Sequence, residues 1–276
     1  TRRDLDDPTT IASVAEAVGT IEVLELLAAL TEADSLATGP SAWGPWKADL
    51  VRDLVTRVGR VLGGAAPEST SSAFPTDEHL ALLEAREQVV RAEGDTLTVV
   101  TPDRPGLFSR VAGVLALSGL DVLSAEAATV DGIALEVFRV ESSFGPTFSW
   151  QRVLADLDRA LAGRLAIHAR IAERTRVYGQ KGPTGLAVEP SVRFDNEASA
   201  EATVVEVHAP DAIGVLYRIT RAFADLDLDI TRAKVQTLGA QVVDSFYVRE
   251  SDGNKVDDPG VLVEIERALL HSLSAE

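Results

Sequence analysis

Asp103-Arg104-Pro105-Gly106-Leu107 is the stretch whose residue types suggest chemistry, and the chemistry is binding. An apolar run, Leu97 to Thr101, leads into it, and a helix-periodic run begins at Leu107. Gly106 lets backbone N–H groups approach a ligand closely, and the positive end of the helix dipole points at the same spot, which suits a carboxylate. Asp103 offers a charge for an ammonium group, Pro105 fixes the entry to the helix, and Arg104 adds charge from outside. A second reading stays open: Asp103 caps the helix and Gly106 merely satisfies the turn.

The unit recurs. A shift of 108 positions lays Pro102, Asp103, Gly106, Arg110 and Asp121 on Pro210, Asp211, Gly214, Arg218 and Asp229. Without a gap, Ala125, Thr129, Phe138 and Val140 then fall on Ala233, Thr237, Phe246 and Val248. In the second copy Ala212-Ile213 replace Arg104-Pro105, so Asp211, Gly214 and the following Val215 keep the minimum of a binding turn. A period of that length is a small domain, not a solenoid turn.

The elements that must position these turns follow from periodicity. In the first copy, Leu107, Phe108, Val111, Val114 and Leu115 give a helix, and the β-rich runs Asp121 to Val130 and Ile133 to Glu141 flank Asp131-Gly132, a hairpin signal. A helix from Phe148 to about Gly163 runs on into Arg164 to Tyr178, Gly179 to Gly185 break it, and Val192 to Phe194 is a final strand. This is βαββαβ, the ferredoxin-like order, with helices on one face of an antiparallel sheet. The second copy repeats strand Thr203 to Ala209, a helix with Val215, Leu216, Ile219 and Phe223, strands Leu228 to Thr237 and Gln241 to Glu250, and a helix opened by Pro259. No sixth strand follows, so either this domain is truncated or Val192 to Phe194 serves it instead; the sequence offers one such strand for two sheets. An open edge needs cover, which predicts side-by-side pairing of the two copies or a homodimer.

Upstream lie three helical patterns, Pro8 to Val18, a second with Ile21, Leu24, Leu27, Ala28 and Thr31 as its buried stripe up to Gly39-Pro40, and a third carrying Trp46, Leu50, Leu54, Val58 and Val61. Trp43 and Trp46 read as packing residues there. Gly63 to Pro75 is a Gly, Ala, Pro, Ser and Thr linker, and Thr76 to Ala92 reads as a spacer helix. The fold class expected is α+β: two ferredoxin-like domains preceded by an all-α segment.

Composition narrows the function. The 276 residues suffice for about two domains, and 46% are hydrophobic. No apolar run nears the roughly 20 residues of a membrane span. A net charge of -17 repels phosphate backbones and anionic membranes, so neither nucleic acid nor membrane is expected as a partner. With no cysteine there is no thiol chemistry, which fits a cytoplasmic setting. His79, His168, His208 and His271 are not spaced for shared metal ligation, and no Walker-type phosphate loop occurs. A chain without methionine does not start at its own initiation codon, so a piece of a longer protein is expected.

The doubled unit with Asp103-Arg104-Pro105-Gly106-Leu107 at its first strand-to-helix turn resembles the ACT domain, a sensor module that commonly binds amino acids. The flanks extend the likeness: Thr31-Glu32-Ala33-Asp34-Ser35-Leu36-Ala37-Thr38-Gly39-Pro40, then Trp43 and Trp46-Lys47, Phe194-Asp195-Asn196-Glu197-Ala198-Ser199, and Arg2-Arg3-Asp4-Leu5-Asp6-Asp7-Pro8 at the front. With these, nearly the whole chain resembles the C-terminal part of the bifunctional uridylyltransferase/uridylyl-removing enzymes, which modify the nitrogen-signalling protein PII. That resemblance implies a nucleotidyltransferase domain, a metal-dependent HD phosphohydrolase domain and two glutamine-sensing ACT domains. It assigns residues 1–63 to closing HD helices, 64–94 to the linker and spacer helix, 95–200 to the first ACT domain and 201–276 to the second.

By the same resemblance the catalytic centres precede this stretch, the parent enzyme uses Mg or Mn, and this stretch carries no cofactor and is inactive alone. Asp34 is then the last metal ligand of the HD site, or a solvated helix-end residue; both readings stand at this point, as do UMP and AMP for the transferred group. Two rivals remain open: an independent amino-acid-binding ACT pair, and the regulatory tail of another amino-acid-controlled enzyme.

Overall fold

A computed structural model describes residues 8–38, 45–65, 74–142, 148–178, 189–235, 237–238 and 241–274. The Arg2 to Asp7 run, Gly39-Pro40, Trp43 and the Gly179 to Gly185 break lie outside the described residues. The chain divides into two compact units, residues 1–73 and 74–276.

The first unit holds helices α1 (Pro8–Val18), α2 (Ile21–Thr38) and α3 (Pro45–Leu62). Ile11, Ala15, Leu24 and Val58 close its core. The stripe expected on α2 is only partly buried: Leu24 is covered, whereas Ile21 and Leu27 are exposed, as are Leu26 at 70% and Leu30 at 64%. Apolar residues run round most of α2, and two neighbouring helices cover one narrow strip of it.

Among the described residues, the second unit is built on one nine-stranded sheet. Its elements in chain order are α4 (Asp77–Ala85), β1 (Val89–Glu93), β2 (Thr96–Pro102), α5 (Leu107–Leu117), β3 (Leu120–Val130), β4 (Ile133–Ser142), α6 (Trp150–Leu161), α7 (Ile167–Tyr178), β5 (Ser191–Asp195), β6 (Thr203–Pro210), α8 (Val215–Ala224), β7 (Leu228–Lys234), β8 (Thr237–Leu238), β9 (Gln241–Glu250) and α9 (Pro259–Leu273). The strand order is β1-β2-β4-β3-β7-β9-β6-β5, with β8 paired to β9. Every pairing is antiparallel. Alternate residues of the strands, among them Leu97, Val99, Phe138, Val205 and Phe246, join the helices in one continuous core. On the opposite face α4 brings Leu83 onto Val100 and Leu135.

Two features correct or settle the sequence reading. The spacer helix ends at Ala85, where Arg86 turns left-handed at φ 53°, and Val89–Glu93 becomes a strand because it can pair with β2 around Gly94. Of the two places open to Val192 to Phe194, the structure takes the second: the run lies in β5 and pairs with β6 of the second repeat. Each repeat therefore takes its outer strand from the segment before it, and neither sheet half lacks one. The run from Phe148 to Tyr178 is broken at Gly163, φ 69°, into α6 and α7.

The repeats pair side by side within the chain. Strands β3 and β7 meet at Ser124 with Lys234, Ala125 with Ala233 and Glu126 with Arg232. Ala125 and Ala233 are equivalent in the two repeats, so a pseudo-two-fold axis passes through their pairing. Helices α5 and α8 pack together above this seam, and Gly113 makes room there: a Cβ on it would lie 2.5 Å from Cγ2 of Ile167 and 2.8 Å from the Tyr217 ring. Arg232 reaches Glu126 across the seam at 3.3 Å.

Candidate functional site

Both turns adopt one backbone geometry. Gly106 has φ 74° and ψ 17°, Gly214 φ 74° and ψ 18°. Leu107 N–H donates to Arg104 O at 3.2 Å and Arg110 N–H to Gly106 O at 3.1 Å; Val215 N–H donates to Ala212 O and Arg218 N–H to Gly214 O, both at 3.0 Å. Replacing Arg104-Pro105 with Ala212-Ile213 has left the turn unchanged. A positive φ at the N-cap explains glycine in both copies, because a Cβ there is strained.

Neither helix has a side-chain cap. The capping role open to Asp103 is not the one it takes: its Oδ2 accepts from Thr129 Oγ1 at 3.1 Å, while its own N–H donates to Gly132 O. No side chain hydrogen-bonds the first N–H groups of α5, which leaves them to an incoming carboxylate. Arg104, expected outside, is partly covered, with its Nε buried and unpartnered.

Each turn faces the other repeat. Asp229, on β7, feels the Asp103 carboxylate: burial first, then Asp103 and Asp227, push its pKa up. Asp211 is held up in the same way by partial burial and by Asp121 on β3, against a lowering hydrogen bond from Ala212 N–H. A β-bulge follows each strand aspartate, at Val122/Ser124 and at Ile230/Arg232, equivalent places in the two repeats, and bends the strand beside the seam. The structure thus brings together Asp103 with Asp229, and Asp211 with Asp121, from opposite sides of the pseudo-axis.

The repeat carries further groups that motif reading passes over. Glu136 on β4 shares the helix-facing side with Ala134 and Phe138, is 4% exposed, and leaves Oε2 buried without a partner. Burial, and then the Asp103 charge, push its pKa up to about 8. Its equivalent on β9 is Asp244, wholly buried. Arg110 and Arg218 each have a buried Nε without a partner, and burial pulls the Arg218 guanidinium down. The signal available in the sequence was the repeat itself, since the 108-residue shift lays Glu136 on Asp244.

The chemistry this permits is capture of a zwitterion. Glycine-lined helix N-termini with arginines nearby suit a carboxylate, and the acidic lining suits an ammonium group. An anionic ligand side chain would meet the same acids unfavourably. Among the described residues no group of three His, Cys, Asp or Glu side chains forms a metal site. His79 is engaged in a capping box with Thr76, and His208 pairs with Glu206 at 2.7 Å. Asp195 accepts from the Glu197 and Ala198 N–H groups, a local turn. Asp34 lies exposed on α2.

Comparison with known proteins matches this architecture. Residues 198–276 fit the family model of the ACR family N-terminal ACT domain. The chain is 40% identical to the bifunctional uridylyltransferase/uridylyl-removing enzyme of Streptomyces coelicolor, over 92% of this chain and 36% of that protein. Over nearly its whole length it is a homologue of these enzymes. The protein of the same name from Gluconobacter oxydans is 33% identical over 99% of this chain and 35% of its own length. That from Mycobacterium tuberculosis is 36% identical over 90% and 33%. The chain thus spans about a third of the length of these relatives. No helix among the described residues is long and apolar enough to cross a membrane.

Proposed function

We propose that this chain is the regulatory region of a bifunctional enzyme that attaches a nucleotidyl group, UMP or AMP, to the nitrogen-signalling protein PII and removes it, and that its paired ACT repeats sense glutamine. One observation carries the sensing role: Asp103 and Asp229, from different repeats, converge at a helix N-terminus that has no side-chain cap. A ligand there touches both repeats, so its binding biases how they sit together. That differential affinity is what coupling to distant catalytic domains requires.

Glutamine fits the lining better than glutamate, because its side-chain amide is neutral and the acids around Asp103 repel a second carboxylate. In this reading the helices of the first unit close the HD domain, and Asp34 supplies one metal ligand there. A single exposed carboxylate does not hold a divalent ion, so no metal-dependent step is assigned to this chain.

Calorimetry of the chain with L-glutamine, with L-glutamate as control, tests the proposal. Saturable heat is expected for glutamine only. Asp103→Asn and Asp229→Asn are each expected to weaken it about 10- to 100-fold, the worth of a charge-assisted hydrogen bond. Absence of heat with glutamine overturns the sensing role.

A further inference from the structure

The tip of the hairpin between β3 and β4 holds the first turn twice. Asp103 Oδ2 accepts from Thr129 Oγ1 at 3.1 Å, and Asp103 N–H donates to Gly132 O at 2.9 Å. Asp131 lies between these two grips, and its carboxylate is engaged by another element: Arg86 Nη2 donates to Asp131 Oδ2 at 3.2 Å. Arg86 is the C-cap of α4. Both partners carry a side chain in the left-handed region, at φ 53° and 49°, where the backbone favours glycine. Strain of this kind persists where the surroundings fix it, and here one ion pair joins the two strained residues.

Helix α4 is lightly attached. Leu83 is its one buried residue, seated on Val100 and Leu135, which face each other across β2 and β4 and are fully covered. Its first turn is tied to β1, where Arg91 Nη2 donates to Glu78 Oε1 at 2.7 Å. Both ion pairs are open to water. The apolar seat belongs to the first repeat: the 108-residue shift puts His208 and Val243, both partly exposed, at the places of Val100 and Leu135. A short helix with one buried anchor and solvent-exposed ties opens at a lower free energy than the core beneath it.

We propose that this hairpin tip couples the first turn to α4. An amino acid bound at Asp103 to Leu107 steadies Asp103 and the tip, which presents Asp131 to Arg86 and tightens α4 on Val100 and Leu135. The proposal rests on the amino-acid-binding reading of that turn and names how its occupancy is passed on. Docked and released α4 are the two states the ligand biases. In chain order α4 is the first helix of the second unit, so the change falls at the start of that unit. An exposed ion pair limits the coupling to about 5-fold.

Calorimetry on the full chain first establishes binding of L-glutamine, and amide exchange then reads the coupling, with circular dichroism confirming that each variant is folded. Exchange at Leu80 to Ala85 is expected to slow about 2- to 5-fold at saturating glutamine. Arg86→Gly keeps the left-handed cap and removes the guanidinium; Asp131→Gly keeps a tight primed turn and removes the carboxylate. Each variant is expected to bind glutamine and to lose the slowing. Unchanged α4 exchange in the native chain with glutamine bound, or equal slowing in native chain and Arg86→Gly, overturns the proposal.

If calorimetry shows no binding, the sensing role falls, and the link between α4 and the turn is read without ligand. In Arg86→Gly the Asp103 N–H, held by Gly132 O, is then expected to exchange about 2- to 5-fold faster while the amides of β6 are unchanged. Equal exchange at Asp103 in native chain and variant overturns the link.

Discussion

Glu136→Gln isolates the cost of keeping a carboxyl group in the core. The native side chain is buried, one of its oxygens has no partner, and its pKa stands near 8 against an ordinary value of 4.5. The folded chain therefore holds this proton up to about pH 8, whereas the unfolded chain releases it above about 4.5. Folding takes up a proton throughout that window, so stability falls as pH rises through it and levels off beyond about 8. The shift of 3.5 pH units at about 1.4 kcal/mol each sets the loss at about 5 kcal/mol by pH 8, with about 3 kcal/mol gone by pH 7.

Glutamine has nearly the same shape, puts an NH2 group in place of one oxygen and cannot ionise. The variant is expected to match the native chain near pH 4.5 and to exceed its stability by about 5 kcal/mol, as an order of magnitude, above pH 8. Urea denaturation at a series of pH values reads this, with amide exchange at Val99 and Phe138, in β2 and β4, confining the measurement to the sheet unit. The raised pKa values of Asp211 and Asp229 affect both proteins alike and cancel in the difference. Parallel stability curves for native chain and variant between pH 5 and 9 would refute a buried, protonated Glu136.

Further outcomes follow from neighbouring geometry. Asp103→Asn removes the charge that helps hold the Glu136 pKa up, so the pH at which the native stability loss levels off is expected to move below 8 in the same denaturation series. Gly113→Ala places a methyl group against Ile167 and Tyr217 and is expected to cost about 1–3 kcal/mol, visible as a lower urea midpoint at unchanged slope. Arg232→Ala removes an ion pair at the seam that is partly open to water, and the expected loss is below about 1 kcal/mol, leaving the pairing at Ala125 and Ala233 intact by amide exchange.

The repeat, the hairpin at Asp131-Gly132 and the helix starts at Gly106 and Gly214 were legible because each has a local cause. Asp131 and Gly132 both take positive φ, 49° and 76°, as a tight primed turn demands. The intramolecular pairing was expected, but for another edge: β5 fills the position thought open, and the repeats meet instead through β3 and β7. What the sequence hid depends on partners distant along the chain. Val89–Glu93 sits in a charged stretch that reads as helix until β2 is beside it. Glu136 reads as a solvent-facing residue of an alternating strand until the positions of Ala134 and Phe138 fix its side. Asp121 and Asp229 stood out as matched positions, but only the seam shows that each serves the other repeat's turn. Ile171 lies on a mostly polar helix, and nothing local announces that it packs on Gly214.

Joining the two repeats in one chain has a consequence for how they can change. A homodimer with this seam would lose it on dilution, and every substitution would appear on both sides of the axis at once. Here the seam is intramolecular, so its assembly is independent of protein concentration. Each half also mutates alone: Ser109 and Tyr217 occupy equivalent positions and could not differ in a symmetric pair. Covalent linkage has released the two turns from copying one another.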